Sequence, residues 1–132
     1  MPASVPPSLW KKGSIILIHK FRFVDLSKAK FAVLMENWDN ERETIVFFLI
    51  TSKMRFKDKK WTLVIPTGTI AGLPKDSLID CNNWRELPKS QLEKCRYIGQ
   101  LSKEIIGKIE EALTYAREVP LDTIIRLRGI QI

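Results

Sequence analysis

The chain has 132 residues, 45% apolar and 28% charged, which fits one domain with its own core and argues against a disordered tail. Its 22 Lys and Arg against 15 Asp and Glu leave a net charge of +7, which favours a polyanionic partner: nucleic acid, acidic protein or membrane surface. The longest apolar run, residues 45–50, falls far short of the roughly 20 residues needed to span a bilayer, and residues 1–7 lack the basic-then-apolar pattern of a secretory signal, so a cytoplasmic protein with no membrane partner is expected.

Residues 1–8, with three prolines, read as a loose lead-in, and Gly13 marks the start of order. Residues 14–23 and 30–37 are rich in aliphatic and aromatic side chains without helical spacing, so each predicts a strand; residues 25–29 connect them. A third strand is expected over 43–52 after a turn at 37–42, and a fourth over 61–66. Residues 67–76, with Gly68, Gly72 and Pro74, form a turn region. A fifth strand over 77–84, a helical turn near 88–93 and a sixth strand over 95–100 follow. Ser102 then caps a helix whose apolar residues Ile105, Ile106, Ile109, Ala112, Leu113 and Ala116 recur every three to four positions, ended by Pro120. The tail, 121–132, is either a short strand or a frayed end. The fold class is mainly β, a small bent antiparallel sheet or barrel with one C-terminal helix.

Cys81, Cys95 and His19 are the only soft metal ligands, and no CxxC or HxxxH spacing joins them, so no metal or other cofactor is expected. The two cysteines are expected as reduced, partly buried thiols. His19 is a candidate acid or base because its unperturbed pKa lies near neutrality, although a lone His between Ile18 and Lys20 fits a structural role as well.

The positive charge is unevenly placed. Residues 1–66 hold 12 Lys and Arg against 6 Asp and Glu, whereas residues 67–132 hold 10 against 9. Its densest part is Lys53, Arg55, Lys57, Lys59 and Lys60, which in an extended arm would send four alternating cations to one side. Such a loop is either a solvated connection or a landing strip for phosphates, with Trp61 beside it to stack on a base. Thr51, Ser52 and Lys53 end the apolar third strand, where hydroxyls and an ammonium can hold a phosphate or are simple turn residues. Lys28 and Lys30, before the second strand, are further phosphate ligands to consider.

Several stretches together resemble the MazF/PemK family of toxins from bacterial toxin–antitoxin pairs. They are Gly13-Ser14-Ile15-Ile16-Leu17, Phe21-Arg22-Phe23-Val24-Asp25-Leu26-Ser27, Lys30-Phe31-Ala32-Val33-Leu34 and Ile50-Thr51-Ser52, followed by residues 77–80, Leu87-Pro88-Lys89-Ser90 and Ile98-Gly99-Gln100-Leu101-Ser102. The resemblance implies a SH3-like, CcdB-like barrel over residues 12–118, with a loose segment 1–11 before it and an extension 119–132 after it. It also implies a cytoplasmic homodimer that cuts single-stranded RNA without metal and is neutralised by an acidic antitoxin. Carried over by position, it makes Lys30 and Thr51 the catalytic residues, with Ser52 adjacent; Lys28, Lys53, Arg55, Lys57, Lys59, Lys60 and Trp61, singled out by their own charge or ring, are then expected to receive the RNA. Lys30 and Phe31 stand where the family has Arg-Pro, and Ser14 where it has Asp. Lys lacks the bidentate fork of Arg. The alternative reading is therefore a barrel that binds RNA, an acidic antitoxin or another protein without cleavage.

Overall fold

The computed structural model describes residues 5–18, 29–69, 73 and 75–129. His19, Lys28 and the Phe21-to-Ser27 motif lie outside the described residues. Six strands form one antiparallel sheet among the described residues: β1 (Ser14–Ile18), β2 (Lys30–Leu34), β3 (Thr44–Thr51), β4 (Thr62–Ile65), β5 (Ser77–Pro88) and β6 (Arg96–Gln100), in the order β4-β5-β3-β2-β1-β6. A single turn, α1 (Lys89–Leu92), joins β5 to β6, and helices α2 (Lys103–Leu113) and α3 (Leu121–Arg128) follow. The expected architecture holds: mainly β, a sheet curled into a half-barrel, closed by C-terminal helix.

The run of apolar residues in β3 is explained by burial on both faces. Ile45, Phe47 and Leu49 join Trp10, Ile16, Ile18, Ala32, Leu34, Leu92 and Cys95 in one cluster. Val46, Phe48 and Ile50 join Ile15, Val33, Cys81 and the helical residues Ile109, Leu113 and Leu127 in the other. Alternation by two sends successive side chains to opposite faces, so a central strand covered on both sides must be apolar throughout. The run is therefore consumed within the chain and is not spare apolar surface for a second copy.

Curling has a local cause. Phe48 pairs with Trp84, but Ile50 pairs with Ile79, so β5 spends five residues where β3 spends two. Extra residues on one strand bend it and increase its twist. Beyond the bend, the first part of β5 pairs with β4, from Thr62 opposite Asp80 to Ile65 opposite Ser77. The Cys81 amide donates to the Trp61 carbonyl at 3.0 Å within the bulge.

Two helical expectations change. The helix after Ser102 ends at Leu113, well before Pro120, because the Thr114 hydroxyl turns back to the Glu111 carbonyl at 2.6 Å and the chain continues as turns. Its start is as expected: the Ser102 hydroxyl accepts the Ile105 amide at 3.3 Å. The tail is neither strand nor frayed end but α3, which buries Thr123 and Leu127 one turn apart and stops at Gly129 in the left-handed conformation, φ 71°. Lys12 fastens both helices to the sheet. Its ammonium pairs with Glu110 at 2.5 Å and donates to the Leu127 carbonyl at the end of α3.

Cys81 and Cys95 lie in the two separate clusters, on opposite faces of the sheet. Burial, with a smaller push from the Asp80 charge, raises the Cys81 thiol to about 12. Native protein at pH 8 is therefore expected to leave Cys81 unmodified by iodoacetamide, and guanidinium-unfolded protein to react there. Peptide mass spectrometry reads both states, and rapid native labelling of Cys81 would contradict the buried placement.

Candidate functional site

The pairing of β2 with β3 matches Phe31 to Ile50, Ala32 to Leu49 and Val33 to Phe48. Continued by one residue, the same register sets Lys30 beside Thr51 at the ends of the two strands. By alternation both share the face of Ala32 and Leu49. Two adjoining depressions meet at this pair. One, of about 200 Å³, is lined by Lys30, Thr51, Lys53, Arg55, Asp80 and Asn83 together with apolar Leu49, Ile50 and Phe56. The other, of about 240 Å³, is lined by Lys30, Thr51, Ser52, Lys53, Lys75 and Ser77, with Phe31, Ile50 and Leu73 among its apolar walls.

Local chemistry orients the hydroxyls. The Thr51 Oγ1 accepts the Lys53 amide at 3.1 Å, a turn that fixes the oxygen and leaves its proton to be donated outward. Ser52 is exposed beside it. The Ser77 hydroxyl donates to the Lys75 carbonyl at 3.0 Å. Asp80, the one carboxylate lining either depression among the described residues, accepts the Asn82 amide at 2.9 Å. Cations thus outnumber acidic groups around a shared pair of polar side chains, an arrangement suited to a phosphodiester with one proton acceptor at hand.

The residues expected to receive RNA are divided between separate surfaces. The basic segment is not an extended arm: Met54–Phe56 is a 3-10 turn, and Lys57 follows it in helical conformation. The Thr62 hydroxyl gathers this loop, lying 2.9 Å from the Phe56 carbonyl and 2.8 Å from that of Lys59. A turning backbone scatters alternate side chains, so only Lys53 and Arg55 line the depressions at Lys30 and Thr51. Lys60 and Trp61 line a different groove, and the Lys59 ammonium stands 5.9 Å from the Trp61 ring centre. Lys57 is exposed to solvent. Conversely, Lys75, Ser77, Asp80 and Asn83 reach the site without having been singled out. They arrive from β5 and the turn before it, whose proximity to Thr51 depends on a long-range pairing that no local pattern carries. Among the described residues no group of three or more His, Cys, Asp or Glu is placed to hold a metal ion.

The turn that brings Lys75 is held by Asp76, whose carboxylate accepts the Thr67 amide at 2.7 Å and the Thr67 hydroxyl at 2.8 Å. The amide first, then the hydroxyl, lowers the Asp76 pKa below the ordinary carboxylate range. Because the folded pKa is depressed, this anchor is complete above the unfolded pKa of about 3.9 and is lost as pH falls through the lower folded value. The Thr67 amide resonance should therefore titrate with a midpoint below 3.9, and a midpoint at or above that value would refute the anchor.

The family described as PemK-like, MazF-like toxin of type II toxin–antitoxin system matches residues 11–116. A comparison with curated proteins finds no match. Among solved structures, the chain is similar to an endoribonuclease in complex with its cognate antitoxin from a mycobacterial species, with TM-score 0.61 and 17% identity over 83% of this chain and 96% of that one. It is similar to the Mycobacterium tuberculosis toxin MazF-mt6, with TM-score 0.59 and 18% identity over 81% and 98% of the two chains. A MazE–MazF structure from Deinococcus radiodurans gives TM-score 0.56 and 10% identity over 85% and 93%. At such identities the likeness shows a shared fold.

Proposed function

The chain belongs to the PemK-like, MazF-like toxin family of type II toxin–antitoxin systems, and from that premise we propose that it is a cytoplasmic toxin that cuts single-stranded RNA without a metal and is neutralised by an acidic antitoxin. The observation that carries this reading is the register that sets Lys30 beside Thr51 between two cation-lined depressions. The fold is shared with proteins described as an endoribonuclease and as antitoxin-bound toxins, which supports both the substrate and the partner.

RNA carries its own nucleophile, so a metal-free site has three tasks. The ribose 2′-oxygen bonds to phosphorus and gives its proton to the Asp80 carboxylate. The Lys30 ammonium and the Thr51 O–H stabilise the charge gathered on the phosphate oxygens. The bond to the 5′ oxygen breaks, and that oxygen takes a proton from Lys30, leaving a 2′,3′-cyclic phosphate and a 5′ hydroxyl. Ser52, Lys53, Arg55 and Lys75 hold the flanking phosphates, each contact adding salt-sensitive affinity. DNA lacks the 2′-hydroxyl and is not cut.

Incubation of the purified chain with a long single-stranded RNA in excess EDTA, followed by mapping of the new ends, tests this directly. The expected result is discrete cleavage with 5′-hydroxyl ends and an intact DNA control. Lys30 and Phe31, in place of the family's Arg-Pro, favour one other reading, a barrel that binds RNA or an acidic antitoxin without cutting. Intact RNA together with salt-sensitive binding would select it. A homodimer is proposed on the family likeness alone, and sedimentation velocity at micromolar concentration decides it.

A further inference from the structure

Away from Lys30 and Thr51, a groove of about 390 Å³ runs between the basic loop and the turns after α2, lined by Lys60, Trp61, Thr114, Tyr115, Ala116 and Arg117. That volume lies within the range of small-ligand sites, roughly 300–1,000 Å³. Its walls are aromatic and cationic. Tyr115 is 48% exposed, the Lys60 ammonium stands 5.3 Å from its ring centre and Lys59 stands 5.9 Å from the Trp61 ring. No carboxylate lines the groove among the described residues.

Both walls are fixed before any ligand arrives. Trp61 packs against the larger core cluster, and its carbonyl accepts the Cys81 amide at 3.0 Å. The opposite wall is tied to β5 through Glu118, whose amide donates to the Asn82 side chain at 3.0 Å and whose carbonyl accepts the Trp84 indole at 3.2 Å. Ala116 is itself buried, so Tyr115 and Arg117 stand on an anchored turn. A large, half-exposed aromatic ring on an anchored turn, with the Lys60 ammonium over it and Arg117 in the same groove, is poorly explained by packing. It meets the two requirements of single-stranded nucleic acid: a π-face for a base and positive charge for the adjacent phosphate.

We propose that Trp61, Tyr115, Lys60 and Arg117 form an accessory nucleobase site that grips a nucleotide flanking the scissile bond, holding an unpaired base on the aromatic faces and its phosphate on the cations. The proposal rests on the RNA-cutting reading of the Lys30–Thr51 site, and adds to it a second point of attachment that lengthens the RNA footprint. It assigns Tyr115 and Arg117 a role in substrate binding and none in bond cleavage.

The test is anisotropy of fluorescein-labelled single-stranded oligoribonucleotides bound to the full chain, with Thr51→Ala present in every arm so that cleavage is slow beside the measurement. Tyr115→Ala is expected to weaken binding of a 12-nucleotide RNA by roughly 5- to 100-fold, the range for losing one stacked base. Tyr115→Phe should bind as the parent does, because it keeps the ring. Tyr115 is exposed, so loss of folding is not the issue, and a circular-dichroism melt confirms that. With Thr51 restored, Tyr115→Ala should raise KM for the long substrate and leave kcat unchanged. Unchanged RNA affinity in Tyr115→Ala overturns the proposal, as does weakened binding of an acidic peptide without any change in RNA binding. The two readings fail separately. Uncut RNA with a Tyr115-dependent affinity refutes cleavage and keeps the nucleobase site, whereas cleavage with Tyr115-independent affinity does the reverse.

Discussion

Thr51→Ala is expected to slow cleavage of single-stranded RNA by roughly 10²- to 10³-fold, the usual loss when one hydrogen-bond donor to a developing oxyanion is removed. The hydroxyl sits at the end of β3, its oxygen fixed by the Lys53 amide and its proton free for the phosphate. The structural loss is small by comparison. Thr51 is only partly buried, and forfeiting one hydrogen bond at a strand end costs about 1 kcal/mol. Thr51→Ser should recover much of the rate, because it restores the donor without the methyl group. Lys30→Ala removes a positive charge and the proton donor from the same depression and should lower the rate at least as far, whereas Lys30→Arg keeps the charge but not a readily released proton and should recover only part of the rate. Initial rates of new-end formation in EDTA, beside thermal melts of each variant, separate chemistry from folding. Full activity in both Thr51→Ala and Lys30→Ala would remove these two residues from the mechanism and place cleavage at other side chains.

The site is legible in the sequence only where it rests on one strand end at a time. Thr51 and Ser52 stand where an apolar run stops, and Lys30 where another begins, so both are visible as polar residues at strand mouths. Asp80 and Asn83 are not, because β5 reaches the site through a bulge that puts five of its residues against two of β3. The same long-range pairing hides the end of β5. Residues 85–88, Arg-Glu-Leu-Pro, carry no strand signal, yet they complete the ladder with Thr44 to Phe47. α3 was concealed differently. Thr123, Ile124 and Ile125 have strand-favouring branched side chains, but Pro120 before them and Gly129 after them are the boundaries a helix prefers, and burial of Thr123 and Leu127 on one face decides the outcome. The basic loop is the converse case. Alternating cations suggest an extended arm only if the backbone is extended, and the 3-10 turn at 54–56 removes that condition.

Phe48→Ala should produce the largest loss of stability of any single truncation considered, about 3–5 kcal/mol. Phe48 is fully buried at the centre of β3, paired with Val33 on one side and Trp84 on the other. Its ring lies in the cluster that seats α2 and α3 on the sheet, and it precedes the bulge that curls β5. Collapse around the missing ring is opposed on both sides, since the flanking strands are held by their ladders and the helices by Lys12 and Leu127. A domain of this size has only about 5–15 kcal/mol of net stability, so the variant should melt about 10–20 °C lower. Phe48→Leu keeps most of the volume and should lose much less. Phe48 lines neither depression at Lys30 and Thr51, so below its own melting transition the folded fraction of Phe48→Ala should cut RNA at the parental rate. Calorimetry and cleavage assays at 15 °C and 37 °C distinguish the two effects. A melting temperature within about 3 °C of the parent would mean that the helical layer does not depend on this ring. A fall in rate at 15 °C without unfolding would instead show that the curvature set beyond Phe48 positions Thr51 for the reaction.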